Sequence, residues 1–180
     1  MLKSLSLVLL LLVAAPLFGR QAASEKITND EYAIYSTLID SRFLPRGTHL
    51  AVIDSTVEFD INEVPIPKEF DDDLLPKIGK TYRLDRRLHI RVKYLLLTPI
   101  QLDRLFKRGV SIGWNSYWKT YHHATGLLSL SRVGYNSTRT RAFVYVAEAC
   151  GPRCGNGYTY VLEKQNGAWK IRDEKQLWIA

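Results

Sequence analysis

RAFVYVAEACGPRCGNGYTYVLEKQNGAWKIRDEKQLWIA, residues 141–180, decides the fold. RAFVYVAEA (141–149) and YTYVLEK (158–164) are rich in β-branched and aromatic residues that alternate with period two, as paired strands require. Between them lies a tight connection holding both cysteines, three glycines and a proline. Asn166-Gly167, between YVLEK and AWKIR, is a two-residue hairpin turn signal. Upstream, LLSLSRVGY (127–135) reads as one more strand, joined to its successor by NSTRT. The carboxy-terminal third is therefore predicted to be an antiparallel meander of about four strands, with LWIA as a possible fifth piece.

The amino-terminal half mixes helices and strands. Thr28-Asn-Asp-Glu31 is a capping box, and Tyr32, Tyr35, Leu38 and Ile39 follow on one helical face. HLAVIDSTVEF (49–59) reads as a strand, and VPIPKEFDDDLLPKIG (64–79), with three prolines, as irregular surface. LHIRVKYLLL (88–97) alternates Leu88, Ile90 and Val92 with His89, Arg91 and Lys93, a strand with one basic face. TPIQLDRLFKRG (98–109) carries its own helix boundaries: Thr98 as cap, Pro99 in the first turn, Gln101 closing the box and Gly109 as stop. The fold class is α+β, with amino-terminal helices and strands packed on the meander and the helices on one face of a mostly antiparallel sheet.

The chain opens MLKSLSLVLLLLVAAPLFGRQAAS, a lysine followed by an apolar run over residues 5–18 and then small residues, the order of a secretory signal peptide. The run is short of the roughly 20 apolar residues that span a bilayer. The expected domains are a signal peptide over residues 1–23 and a single α+β domain over residues 24–180 without a transmembrane span. Export places the mature chain in the periplasm or outside the cell. Cleavage would remove Lys3 and Arg20 and no acid, lowering the net charge from +7 to +5.

Export bears on Cys150-Gly-Pro-Arg-Cys154. In an oxidising compartment a disulfide persists. A thioredoxin-type centre has two intervening residues and a following helix, whereas this pair has three and is followed by a strand. A zinc site needs two further ligands, and His122 and His123 are the only close histidine pair. The expectation is a Cys150–Cys154 disulfide that fixes the turn, with a redox pair and a metal site as alternatives and no metal or other cofactor assigned.

GWNSYWKTYHHATG (113–126) places Trp114, Tyr117, Trp118 and Tyr121 on one stripe of a short helix. Packing against the sheet is the expected role, with both Trp114 and Trp118 buried. A stacking platform for sugar rings or bases is the alternative. From Gly113 onward, GW–YW–Y, TGLLSLSRVGYN, FVYVAEACGPRCGNGYTYVLEK and NGAWKI–LWIA together resemble a group of exported bacterial proteins of uncharacterised activity. That group has a Ser-Arg-Val-Gly-Phe/Tyr-Asn segment before a Gly-rich or Cys-stapled hairpin. Its members often carry Tyr-Pro where this chain has Tyr121-His122, which speaks against a shared histidine function. The closing strand–turn–strand pattern is also similar to nuclear-transport-factor-like folds, a likeness of architecture that implies no reaction.

The sequence holds no Gly-x-Ser-x-Gly elbow, His-Glu-x-x-His, P-loop or dinucleotide fingerprint. Asp54 and Glu58 share parity in AVIDSTVEFD, so a pair of acids on one strand face is the candidate catalytic set of a hydrolase acting on envelope polymer. Glu69 and Asp71–Asp73 form an acidic knot without the glycine of a calcium loop. Residues 77–108 carry ten Lys or Arg against Asp85 and Asp103. His89, Arg91 and Lys93 are accordingly the candidate anion-binding face, suited to anionic envelope polymer or lipid headgroups. The tract lacks the interleaved aromatics of a nucleic-acid groove, and no nucleic-acid motif is present. The leading expectation is an exported, non-catalytic binding or structural domain. The envelope hydrolase is the first alternative, and a thiol-redox or metal-handling protein the second.

Overall fold

The computed structural model describes residues 26–44 and 48–180. The expected signal segment lies outside the described residues. Helix α1 spans Asn29–Arg42. Its capping box forms as the sequence predicts: the Thr28 hydroxyl accepts from the Glu31 N–H at 3.2 Å, and the Glu31 carboxylate accepts from the Thr28 N–H at 2.8 Å.

Seven strands make one sheet: β1 (His49–Ile53), β2 (Lys93–Leu97), β3 (Ala124–Leu130), β4 (Gly134–Tyr135), β5 (Arg141–Gly151), β6 (Cys154–Gln165) and β7 (Ala168–Ile179). The order is β2-β1-β3-β5-β6-β7, with β4 paired to β5. β3, β5, β6 and β7 form the carboxy-terminal antiparallel meander, so the fold is α+β. Asn166 (φ 51°) and Gly167 (φ 82°) both adopt the left-handed conformation of the predicted hairpin turn. β1 and β2 extend the sheet by parallel pairing, β1 lying between β2 and β3.

Three predicted strands are shorter or broken, each because backbone groups find other partners. The strand predicted over 49–59 ends at Ile53. Beyond it the Thr56 N–H bonds the Tyr82 carbonyl, and Ser55 bridges Arg83. The strand predicted over 88–97 starts at Lys93. Before it, the His89 N–H goes to the Ser36 hydroxyl and the Arg91 N–H to the Asp40 carboxylate, both on α1. The strand predicted over 127–135 breaks between Leu130 and Gly134, where the Ser131 hydroxyl accepts the Tyr145 N–H and Arg132 turns to Glu31.

Helices cover both faces of the sheet, not one. Successive side chains of a strand point to opposite faces. Ala142, Val144 and Val146 of β5 share a core with Ile34, Tyr35, Leu38 and Ile39 of α1. Phe143 and Tyr145 instead join Val64, Phe70 and Leu74. The segment over 64–79 is thus a cover built from a short helix, α2 (Asp71–Leu74), between two 3-10 turns. Elements of three or four residues leave no periodicity in a sequence, so this segment reads as irregular. Lys77 ends the cover buried, donating to Asp73 at 2.6 Å and the Val133 carbonyl at 2.7 Å. Burial pulls its ammonium below the ordinary lysine value, opposed by Asp73.

Helices α3 (Pro99–Phe106) and α4 (Val110–Thr120) form the third core with Ala51, Leu97 and Leu127. The Thr98–Gln101 capping box is present, and Gly109 separates the helices at φ 106°. Among the described residues, no helix is long and apolar enough to cross a membrane.

Cys150 and Cys154 are bonded to each other, with Cα atoms 5.0 Å apart, where β5 turns into β6. A ring this small removes little loop entropy, about 2 kcal/mol in the chain-entropy account. Cys150→Ala/Cys154→Ala is expected to lose no more than about that amount and to keep the sheet. Urea unfolding followed by far-ultraviolet circular dichroism measures both.

Candidate ligand cleft

The cleft is built around Trp178, near the end of β7 and opposite Gly157 of β6. A Cβ on Gly157 would lie 2.0 Å from the indole Nε1, and one on Gly155 would lie 3.2 Å from the six-membered ring. Two glycines two residues apart therefore let the indole lie flat on the sheet backbone. Its Nε1–H donates to the Tyr145 hydroxyl at 3.0 Å, which fixes its orientation. Reciprocal bonds between the backbones of Gly155 and Ala180, at 3.2 and 2.9 Å, hold the strand end in place. The ring stays 40% exposed, an immobilised aromatic surface facing solvent.

Residues 58–64 form the opposite wall. The Val57 N–H bonds the Leu130 carbonyl at one end, and Val64 is buried in the core at the other. Asp60 closes the turn between them by accepting from the Asn62 N–H at 2.8 Å. The cleft volume is about 630 Å³, bounded by Glu58, Phe59, Asp60 and Glu63 on the loop and Tyr145, Leu177 and Trp178 on the sheet. Phe59 rests against Tyr145 with ring centroids 5.4 Å apart. Aromatic faces on one side and carboxylates on the other suit a ring with an apolar face and a hydroxylated or cationic edge.

The structure distributes the residues singled out in the sequence. Asp54 and Glu58 do not share a strand face, because β1 ends before them. Asp54 is buried, its carboxylate 3.5 Å from Arg83, whereas Glu58 is exposed and lines the cleft. Of the basic trio, only Lys93 is on a strand. His89 and Arg91 precede it, and Arg91 also pairs with Asp40 at 3.6 Å. In the acidic knot, Glu69 pairs with Arg141 and Asp73 with Lys77.

His122 and His123 follow the end of α4 and stack near His49, with centroids 3.9 Å apart in the first pair and 5.3 Å between His49 and His123. The His122 charge, with smaller contributions from burial, His49 and Lys93, lowers the His123 pKa. Among the described residues, no three His, Cys, Asp or Glu side chains are placed to hold a metal ion. Trp118 departs from expectation: it is 39% exposed, whereas Trp114 is 4% exposed.

No family model, curated protein or solved structure matches this chain.

Glu148, half-buried on β5, is a titratable group outside the cleft whose burial alone raises its carboxyl pKa. The folded protein then holds the proton to higher pH than the unfolded chain. The stability this group contributes is full below the ordinary glutamate value and is lost as pH rises through the folded value. Glu148→Gln is therefore expected to be more stable than the parent at pH ~7, with the difference shrinking toward pH ~4. Denaturant midpoints at the two pH values check this.

Proposed function

We propose that this chain is an exported, non-catalytic binding domain that holds a sugar ring of an envelope glycan against Trp178. The observation that carries the reading is the indole itself, seated on two glycines, tethered to Tyr145 and left open to a cleft of about 630 Å³. A large apolar ring is costly to leave in water. Here the backbone is built around keeping it flat and accessible, the geometry in which the apolar face of a sugar stacks. Glu58 and Glu63 offer acceptors to the hydroxyls at its edge. The export signal of the sequence puts such a site beside the polymers of the cell envelope.

The test is titration of the full chain with soluble peptidoglycan fragments and with chitotetraose, read by tryptophan fluorescence and calorimetry. Trp178→Ala is expected to weaken binding by about tenfold or more, the scale of one lost stacking contact. Gly157→Val should do the same without touching a contact residue, because its Cβ takes the place of the indole. Unchanged affinity in both variants would overturn the reading. Glu58 in the cleft is what favours a hydrolase instead. Release of reducing ends from peptidoglycan, lost in Glu58→Gln, would replace the binding role with that one.

A further inference from the structure

A second surface lies where α4 meets the tip of the β5–β6 hairpin. Its hollow of about 640 Å³ is lined by Val110, Ser111 and Trp118 of α4 and by residues 150–154, the disulfide loop. Val110 is 58% exposed and Trp118 39%, although each carries a large apolar side chain. Arg153 lines the hollow, Lys107 and Arg108 lie just before α4 and Lys119 follows Trp118 in the chain, and all four are exposed. None of these four cations takes part in an ion pair among the described residues, whereas Arg42, Arg87, Arg91 and Arg141 all do. The sequence holds no Asp or Glu between Asp103 and Glu148. An apolar surface on a cation-rich stretch free of acids has the composition of an interfacial membrane contact.

We propose that this corner docks on the surface of an anionic lipid bilayer. Val110 and Trp118 enter the boundary between headgroups and acyl chains, where an indole is favoured. Lys107, Arg108, Lys119 and Arg153 meet the phosphates. A soluble polyanion would satisfy the cations but leave the apolar side chains in water, which is why a bilayer fits better. The contact shares no residue with the Trp178 cleft, so each proposal can fail alone.

The experiment uses the full chain and vesicles of equal parts phosphatidylglycerol and phosphatidylcholine, against vesicles of phosphatidylcholine alone. Lys107→Glu/Arg108→Glu should lower partitioning onto the anionic vesicles by about tenfold or more, an effect that fades at high salt. Because parent and variant share the same amino terminus, their difference reports this corner alone. Brominated lipid should quench the part of the emission that Trp118→Phe removes. Equal partitioning of parent and charge-reversal variant, or Trp118 emission untouched by brominated lipid, would overturn the proposal. Quenching by a monomeric brominated fatty acid but not by vesicles would also overturn it, assigning the hollow to a single amphiphile. Circular dichroism and urea unfolding verify that the variants are folded.

Discussion

Replacing Arg132 with alanine is expected to destabilise the protein by about 3–5 kcal/mol. The Arg132 and Glu31 side chains are 4% and 1% exposed, and Nε lies 2.7 Å from Oε1. Glu31 serves three structures at once. It closes the capping box of α1, pairs with Arg132, and accepts from the Val133 N–H at 3.4 Å. The guanidinium also stacks 4.0 Å from the Tyr82 ring centroid. Without Arg132, a carboxylate is left without its partner charge in the core, and that uncompensated charge is the main cost. Glu31→Leu/Arg132→Met removes both charges and should recover much of the loss, because desolvation offsets the attraction within a buried pair. Urea unfolding of the parent, both single variants and the double variant completes the cycle. A loss below about 1 kcal/mol for Arg132→Ala would mean that water reaches the pair.

The same arginine marks where the sequence stops being legible. Thr28–Glu31, Thr98–Gln101 and Asn166-Gly167 act over two to four residues, and their side chains and backbone alone determine the result. The hairpins follow from alternation and those turns. Arg132 sits in an apolar alternating run, and its partner is over a hundred positions away, so the break in LLSLSRVGY leaves no local signal. The parallel insertion of β1 between β2 and β3 is equally non-local. So is the apolar role of Phe70 and Leu74, which lie inside a proline-broken segment.

The cleft was legible in part. Glu58 is visible as an acid in a β-rich stretch, but Trp178 is not visible as its counterpart. Counting back from Gln165↔Ala168 across an unbroken hairpin would place Gln176 opposite Gly157. Irregularities between Val161 and Leu162 and between Gly157 and Tyr158 shift the register, and Trp178 arrives there instead. A bulge adds a residue to one strand and leaves little trace in composition. Gly155-Asn-Gly157 is the one hint available: two glycines on the same face of a strand mark a close approach by something large.

Trp114→Ala is expected to destabilise by about 3–5 kcal/mol, and Trp118→Ala by less than about 1 kcal/mol, although the two lie one turn apart on one stripe. Trp114 packs edge-on against Phe106 at 5.5 Å and Tyr117 at 5.0 Å, between α3 and the sheet. Tyr117, fully buried, donates its hydroxyl to the Gly126 carbonyl at 2.8 Å, which anchors this turn of α4 to β3. Tyr121, further along the chain, still packs against the third core, so Trp118 lies at the side of the covered stripe and not beyond its end. Trp118 lies tilted against Trp114, ring centroids 5.7 Å apart, and beside Gly151 at the hairpin tip. Periodicity tells which side of a helix faces the sheet, but not how wide a stripe of it is covered. Thermal and urea unfolding of the two variants measure that extent. If Trp118→Ala costs as much as Trp114→Ala, the stripe is core throughout, and the exposed indole at the bilayer-docking corner loses its basis. If it costs little while abolishing quenching by brominated lipid, the exposed position of Trp118 serves contact with the membrane and not packing.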